Sequence, residues 1–155
     1  MVSLVLNSTA CVANDLPCFR APRIRLGLML TDLSLNHSGS PAILHVCRRE
    51  MLRPVRDEIL RISGFHVDST LKADEAAQMF AARPYDLVLI DVEGERGIPE
   101  AEHLCSEIKT AKHKHLVAFA CNWRVAVLTD CPDDVVRSEF DPAAFVSGVH
   151  DVVNG

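Results

Sequence analysis

The sequence predicts an α/β domain with a doubly wound parallel sheet of five strands and helices on both faces. From residue 42 onward, short apolar runs alternate with amphipathic helical patterns. The run at residues 87–90 is apolar without alternation, which is typical of a strand covered on both faces. Strands joined by one short helix require right-handed crossovers, and such crossovers produce a parallel sheet.

The first half of this domain contains two predicted strand and helix pairs. Residues 43–46 form the first strand, and residues 65–67 form the second. The helix between them is predicted from apolar side chains at helical spacing and a glycine that suits its end: Leu52, Val55, Ile59, Ile62 and Gly64. An Ala-rich helix at residues 74–82 stops before Pro84, because the residue before a proline disfavours helical backbone.

The second half continues the alternation. Three more strands are predicted, at residues 86–91, 116–120 and 135–136. Pro99 begins a helix after the first of them, and a weaker helix is expected at residues 123–128. A last helix begins with Asp141 as its N-cap and Pro142 in its first turn. The expected inward faces of the Pro99 helix and the last helix are Ala101, Leu104, Cys105 and Ile108, and Phe145, Val149 and Val152.

Composition excludes several classes of protein. The chain has 155 residues, of which 48% are hydrophobic, and a formal net charge of −5. A chain of this length and hydrophobic content is enough for one folded domain. The excess of acidic over basic residues predicts no nucleic-acid partner. No apolar run approaches the length of a membrane span, about 20 residues. Six cysteines without a CxxC pair, and an amino terminus without a secretory signal, indicate reduced thiols and a cytoplasmic location.

Residues 1–40 differ from the rest of the chain. They mix prolines and glycines with short apolar patches and show no sustained period. They are predicted to be a weakly ordered N-terminal extension, and residues 41–155 are predicted to be the folded domain. The alternative is that the extension contains a short amphipathic docking segment.

The candidate site follows from the rule that parallel α/β sheets bind ligands at the carboxyl ends of their strands. Residues directly after the predicted strands are therefore expected to meet in one crevice. These residues are Cys47 and Arg48 after the first strand, Asp91 after the third, Ala120 and Cys121 after the fourth, and Ser138 after the fifth. The sequence has no glycine-rich phosphate loop, GxSxG or HExxH motif, so an independent enzyme is not expected.

The chain resembles the receiver domains of response regulators in two-component signalling. The resemblance covers about residues 42–153, and the segments that carry it are residues 62–67, 85–92, 133–136 and 140–142. It implies a flavodoxin-like fold in which Asp91 corresponds to the aspartate that accepts a phosphoryl group from a histidine kinase. In that family the reaction also requires a magnesium ion held by an acidic pair, a hydroxyl and a lysine.

The sequence departs from the receiver pattern at the groups that should surround Asp91. The acidic pair corresponds to Cys47 and Arg48. The positions of the hydroxyl, the lysine and the switch aromatic residue are occupied by Ala120, Ser138 and Val135. Magnesium binding is therefore expected to be lost or weak, and no cofactor is predicted.

An internal cation is predicted in place of the metal ion. Arg48 or Arg49 could place its guanidinium group beside Asp91 and form an ion pair with it. Cys47, next to these arginines, is interpreted as a small residue that fills the crevice. The alternative for Cys47 is a redox-sensing thiolate.

The expected function is that of an atypical receiver domain in a phosphorelay, without enzymatic activity and with impaired phosphorylation. It would act by binding a histidine kinase, a regulator or a second copy of itself. The predicted surface is the face of the fourth helix, fifth strand and fifth helix, where Trp123 and Val127 could serve as anchors. The alternative function is a conventional receiver phosphorylated on Asp91. The sequence does not identify the partner or the pathway.

Overall fold

The computed structural model describes residues 39–137 and 141–155. The predicted extension, up to residue 38, and the predicted site residue Ser138 lie outside the described residues. The strands are β1 (Ala42–Val46), β2 (His66–Thr70), β3 (Leu87–Asp91), β4 (Leu116–Cys121) and β5 (Asp134–Arg137). The helices are α1 (Arg53–Ile62), α2 (Ala73–Ala82), α3 (Ile98–Thr110) and α4 (Pro142–Asn154), with a short 3-10 helix at Glu95–Gly97.

The five strands form one parallel sheet in the order β2-β1-β3-β4-β5. Strand order reverses between β1 and β3, which pair with each other in the middle of the sheet. The predicted fold class, a doubly wound five-stranded parallel sheet, is therefore confirmed. The reversal also marks the place where the carboxyl ends of β1 and β3 can form a crevice.

Two apolar cores cover the two faces of the sheet. Helices α2 and α3 pack on one face, through residues such as Phe80 and Leu104. Helices α1 and α4 pack on the other, through residues such as Leu60 and Phe145. Side chains of β1 alternate between the cores, because successive residues of a strand point to opposite faces. Leu44 belongs to the first core and Ile43 to the second.

The inward faces predicted for the helix that begins near Pro99 and for the last helix are confirmed. Every residue named for these two faces is buried. Asp141 is the N-cap of α4, and its side chain accepts a hydrogen bond from the backbone N–H of Ala143. The side-chain oxygen thereby satisfies one of the free N–H groups at the start of the helix.

The apolar residues whose spacing predicted α1 do not all face the core. Val55 and Ile62 are 54% and 77% exposed, whereas Ile59 packs against the second core. The buried residues of α1 are instead Arg56, Asp57 and Leu60. Two charged side chains face the sheet because they pair there with polar groups, which are described below. The apolar spacing in the sequence therefore indicated the helix correctly, but it did not indicate which residues of the helix are buried.

The weaker helix predicted at residues 123–128 does not form. The segment after β4 is a turn followed by a loop, so the described residues contain four α-helices. The Arg137 guanidinium, on β5, donates hydrogen bonds to the carbonyl oxygens of Asn122 and Val125, at 3.2 and 2.8 Å. The Asn122 side chain also accepts from the N–H of Arg124, which holds a local turn. Carbonyl and N–H groups that would pair with each other inside a helix are thus hydrogen-bonded to side chains.

Two further properties concern the whole described region. No helix of the described residues is long and apolar enough to cross a bilayer. The described cysteines, Cys47, Cys105, Cys121 and Cys131, are free thiols.

Candidate functional site

Asp91 is the last residue of β3, at the carboxyl edge of the sheet. Its side chain is only 2% exposed. The adjacent backbone is fixed by a hydrogen bond from the N–H of Val92 to the carbonyl of Ala120, at 2.8 Å. A buried carboxylate needs charged or hydrogen-bonding partners, because the burial of an ion without them costs on the order of several kcal/mol.

Two arginines provide these partners. Arg49, from the segment after β1, donates from its terminal nitrogen to Oδ1 of Asp91 at 2.8 Å. Arg56, from the sheet-facing side of α1, donates to Oδ2 of the same carboxylate. Arg56 is 8% exposed and its guanidinium group also lies over the Phe145 ring, 4.9 Å from the ring centroid. Each oxygen of Asp91 is therefore engaged by a cationic donor.

Of the two arginines predicted to pair with Asp91, only Arg49 does so. Arg48 instead forms an ion pair with Glu100 near the start of α3, and its side chain is 64% exposed. The pair with Glu100 holds the Arg48 guanidinium group at α3, away from the carboxylate. Arg56 was not predicted, since the pattern that indicated this helix consists of its apolar residues alone.

Cys47 follows β1 and contacts Asp91 directly. Its thiol donates to Oδ2 of Asp91 at a sulfur to oxygen distance of 3.3 Å. Burial, together with the neighbouring Asp91 carboxylate, raises the pKa of the Cys47 thiol to about 11. The raised pKa favours the protonated thiol over the thiolate, which is the reactive form that the redox-sensing alternative requires.

A buried polar chain lies beside Cys47. His45, on β1, is fully buried, and its Nδ1 is 2.7 Å from Oδ1 of Asp57 on α1. The other oxygen of Asp57 accepts a hydrogen bond of 2.6 Å from the Ser69 hydroxyl on β2. Burial raises the pKa of Asp57, but the hydrogen bonds from His45 and Ser69 outweigh it and hold the pKa below its usual value. Nε2 of His45 faces Asp91, 4.0 Å from its Oδ2.

The remaining predicted positions contribute no polar group to Asp91. Ala120 is fully buried in β4 and carries no hydroxyl, and Val135 lies on β5 packed against the first core. The Cys121 sulfur accepts a hydrogen bond from Arg137 at 3.3 Å instead of contacting the carboxylate. The crevice therefore brings together Cys47, Arg49 and Asp91 from the predicted residues, and adds Arg56 and His45.

The magnesium ion that the resemblance implies does not fit this donor set. Mg²⁺ requires oxygen ligands in near-octahedral geometry and is usually bound through one or two carboxylates. Around Asp91 the structure places a thiol, an imidazole and two guanidinium groups. These groups supply no oxygen ligand, and the arginines repel a divalent cation.

A cavity of about 360 Å³ opens beside Asp91. Its lining combines apolar residues such as Val46, Ile90 and Leu104 with charged residues, among them Arg49. Arg49 is 40% exposed, so the side of the ion pair formed by this residue is accessible from the cavity. The Arg56 side of the pair is closed by α1.

Comparison with solved structures identifies the fold. A putative response regulator from Chloroflexus aurantiacus matches with a TM-score of 0.60 and 16% sequence identity, covering 75% of this chain and 99% of that one. A CheY-like receiver domain from Methylobacillus flagellatus matches with a TM-score of 0.59 and 16% identity, covering 74% and 99%. The response regulator TrrA of Thermotoga maritima was solved in complex with the histidine kinase ThkA. It matches with a TM-score of 0.57 and 23% sequence identity, covering 72% of this chain and 97% of that one.

The chain thus has the fold of response regulator receiver domains, the flavodoxin-like fold that the resemblance implied. The match spans nearly the whole length of each of these structures. Neither the family models nor the curated protein sequences include a match to this chain.

Proposed function

We propose that residues 41–155 form an atypical receiver domain in a phosphorelay. The domain acts without enzymatic activity, through binding of a protein partner in the cytoplasm, and phosphorylation of Asp91 is impaired. One observation carries the proposal. The Asp91 carboxylate is buried, and both of its oxygens are hydrogen-bonded to arginines, Arg49 and Arg56.

The requirements of phosphoryl transfer explain why this arrangement impairs the reaction. The attacking oxygen needs a free lone pair in line with the phosphorus, and a divalent ion must offset the charge that develops on the phosphoryl oxygens. Here Oδ2 of Asp91 accepts from Arg56 and from the Cys47 thiol, and Oδ1 accepts from Arg49. The two guanidinium groups stabilise the unmodified carboxylate, so modification must break these pairs.

The proposal also includes the binding of a protein partner. The similar Thermotoga response regulator forms a complex with a histidine kinase. In this chain, Trp123 and Leu128 are exposed by 61% and 92%, on the loop that takes the place of the predicted fourth helix. We assign partner binding or homodimerisation to the surface formed by this loop, β5 and α4. Val127 is partly buried against the first core and is a weaker candidate for an anchor.

The direct test is phosphorylation by a small phosphodonor such as acetyl phosphate in the presence of Mg²⁺, followed by intact-mass measurement. A conventional receiver domain in the same reaction serves as the positive control, and Asp91→Asn shows the background. The expected result is no magnesium-dependent addition of a phosphoryl group to the wild-type chain. Stoichiometric labelling that disappears in Asp91→Asn would establish the alternative, a conventional receiver.

A further inference from the structure

We propose that the cavity beside Asp91 binds a small organic anion, a monocarboxylate with an apolar body. The cavity has a volume of about 360 Å³ and lies on the side of the sheet that α2 and α3 cover. Pockets that hold small molecules typically have volumes of about 300–1,000 Å³ and combine apolar walls with a few polar groups. This site goes beyond the proposed signalling function, which requires no ligand.

The apolar part of the lining would hold the body of the ligand. It comes from β1 and β3 and from the two helices that cover them: Val46, Ile90, Ala73, Ala101 and Leu104. These residues belong to the first core or pack against it. A ligand with an apolar body would remove their exposed surface from water, which favours binding. The walls therefore select for a ligand that is more than a simple ion.

Arg49 provides a donor for the carboxylate of the ligand. A guanidinium group carries several N–H donors in one plane, and Arg49 donates from one terminal nitrogen to Oδ1 of Asp91. Its Nε is buried and has no hydrogen-bond partner among the described residues. The side chain is 40% exposed and lines the cavity. Its remaining N–H groups match the planar, two-oxygen geometry of a carboxylate.

Arg96 provides a second cationic donor from the other side. It belongs to the 3-10 helix after β3, lines the cavity, and forms no ion pair among the residues that the structure describes. The third arginine of the lining, Arg48, is already paired with Glu100. A carboxylate between Arg49 and Arg96 would thus connect the segment after β1 with the segment after β3.

The charges of the lining favour an anion with a single negative charge. Among the acidic lining residues, Asp91 has both oxygens engaged by arginines and Glu100 is paired, whereas Glu93 is exposed to water. The guanidinium groups that disfavour a divalent cation at this edge favour an anion for the same reason. A phosphate dianion would be repelled about twice as strongly by the three acids as a monocarboxylate.

Two-dimensional NMR of the ¹⁵N-labelled chain tests the site with three probes: benzoate, phenylacetate and isovalerate. Acetate, which lacks the apolar body, and phenylacetamide and benzamide, which lack the charge, are the control ligands. We expect saturable shifts at the amides of Ile90, Ala101 and Leu104 with at least one probe, and weaker binding of every control ligand. Inorganic phosphate is titrated separately, and we expect it to bind more weakly than that probe.

Variants of the lining locate the binding site. Arg96→Gln should weaken binding of the probe about 10- to 100-fold, because it removes a charged hydrogen-bond donor. Ala73→Leu should also weaken binding, since the larger side chain takes up space in the cavity. The matched control is Arg61→Gln, at an exposed arginine of α1 that does not line the cavity, and it should leave binding unchanged.

Four results would overturn the proposal. They are the absence of saturable shifts with all three probes, equal affinity for a carboxylate and its amide, unchanged affinity in Arg96→Gln, and tighter binding of phosphate than of any probe. The spectrum of each variant without ligand checks its folding, and Arg96 is exposed, so its replacement leaves the core intact. The assay contains neither magnesium nor a phosphodonor, so its outcome is separate from that of the phosphorylation test.

Discussion

At the scale of single residues, the carboxylate of Asp91 determines the character of the site. It lies at the carboxyl end of a fully buried strand, where an isolated negative charge would be strongly unfavourable. Arg49 and Arg56 make this charge tolerable, and the Cys47 thiol occupies the remaining side of Oδ2. The cationic partners of Asp91 are therefore side chains of the same polypeptide.

Removing this carboxylate should destabilise the fold. Asp91→Ala leaves the buried Arg56 without its carboxylate, and breaking a buried pair in this way costs about 3–5 kcal/mol. Urea unfolding followed by circular dichroism measures the change. The matched control is Glu100→Ala, which breaks the exposed pair with Arg48 and should cost about 0–1 kcal/mol.

A double variant distinguishes pairing from packing. Asp91→Leu combined with Arg56→Met replaces both charges by apolar groups and should recover most of the stability lost in Asp91→Ala. Equal destabilisation by Asp91→Ala and Glu100→Ala would show that the Asp91 pair is energetically unimportant.

Asp57 should make the fold sensitive to acid. Its pKa is lowered from 3.8 by the hydrogen bonds from His45 and Ser69, which outweigh the effect of burial. The unfolded chain then binds the proton more tightly than the folded chain. This contribution to stability is fully present above the usual pKa and is lost as the pH falls through the lower pKa of the folded state.

The measurement is the urea midpoint between about pH 5 and pH 2. Asp57→Asn should show a shallower decline with acid than the wild-type chain, because the variant has no carboxyl group to protonate. Asp133, whose pKa is also lowered, is present in both chains and does not affect the comparison. Parallel acid profiles of the two proteins would contradict this assignment.

At the scale of secondary structure elements, the sequence predicts what depends on local pattern. The uninterrupted apolar run of β3, the cap of α4 and the inward face of α3 follow from spacing and composition, and all are found. The orientation of α1 could not be predicted, because Arg56 and Asp57 turn inward to meet groups on β1 and β3 that are distant in sequence. A periodicity argument treats charged residues as exposed and therefore misses such long-range pairs.

The loop after β4 illustrates the same limit. Residues 123–128 carry a weak helical pattern, but Arg137 from β5 binds the carbonyl oxygens of Asn122 and Val125. A side chain more than ten residues away thus competes with the helix, which no local window of the sequence reveals. For the same reason, the candidate site was only partly predicted. Position at a strand end indicated Asp91 and Cys47, whereas the helix orientation was needed to find Arg56.

Arg137→Ala should loosen this loop. The substitution removes charge-assisted hydrogen bonds to two carbonyl groups, each worth about 1.5–3 kcal/mol when the donor is charged. Amide hydrogen exchange should accelerate across the loop between β4 and β5, while exchange in β1 stays slow. Arg124→Ala, which removes only the exposed guanidinium over Trp123, is the control and should leave the loop protected. Unchanged exchange in Arg137→Ala would refute the role of this side chain.

At the scale of the whole molecule, the sheet places its polar groups at one edge and divides the apolar residues between two cores. The receiver fold is complete in strand order and parallel pairing, while the crevice at the carboxyl edge differs from an oxygen-lined ion site. Fold and site chemistry are separate properties, so the shared architecture does not by itself fix the function. The proposed function therefore depends on the electrostatics of this one edge.

Magnesium binding at this edge is the most direct test. Two-dimensional NMR of the ¹⁵N-labelled chain follows the amides of Asp91, Val92 and Cys121 during a Mg²⁺ titration. A variant that restores an acid and removes both cations, Cys47→Asp with Arg49→Gln and Arg56→Gln, serves as the comparison. We expect no saturable shift in the wild-type chain and a gain of binding in the variant. Saturable shifts around Asp91 in the wild-type chain would contradict the claim that fixed arginines occupy the place of the metal ion.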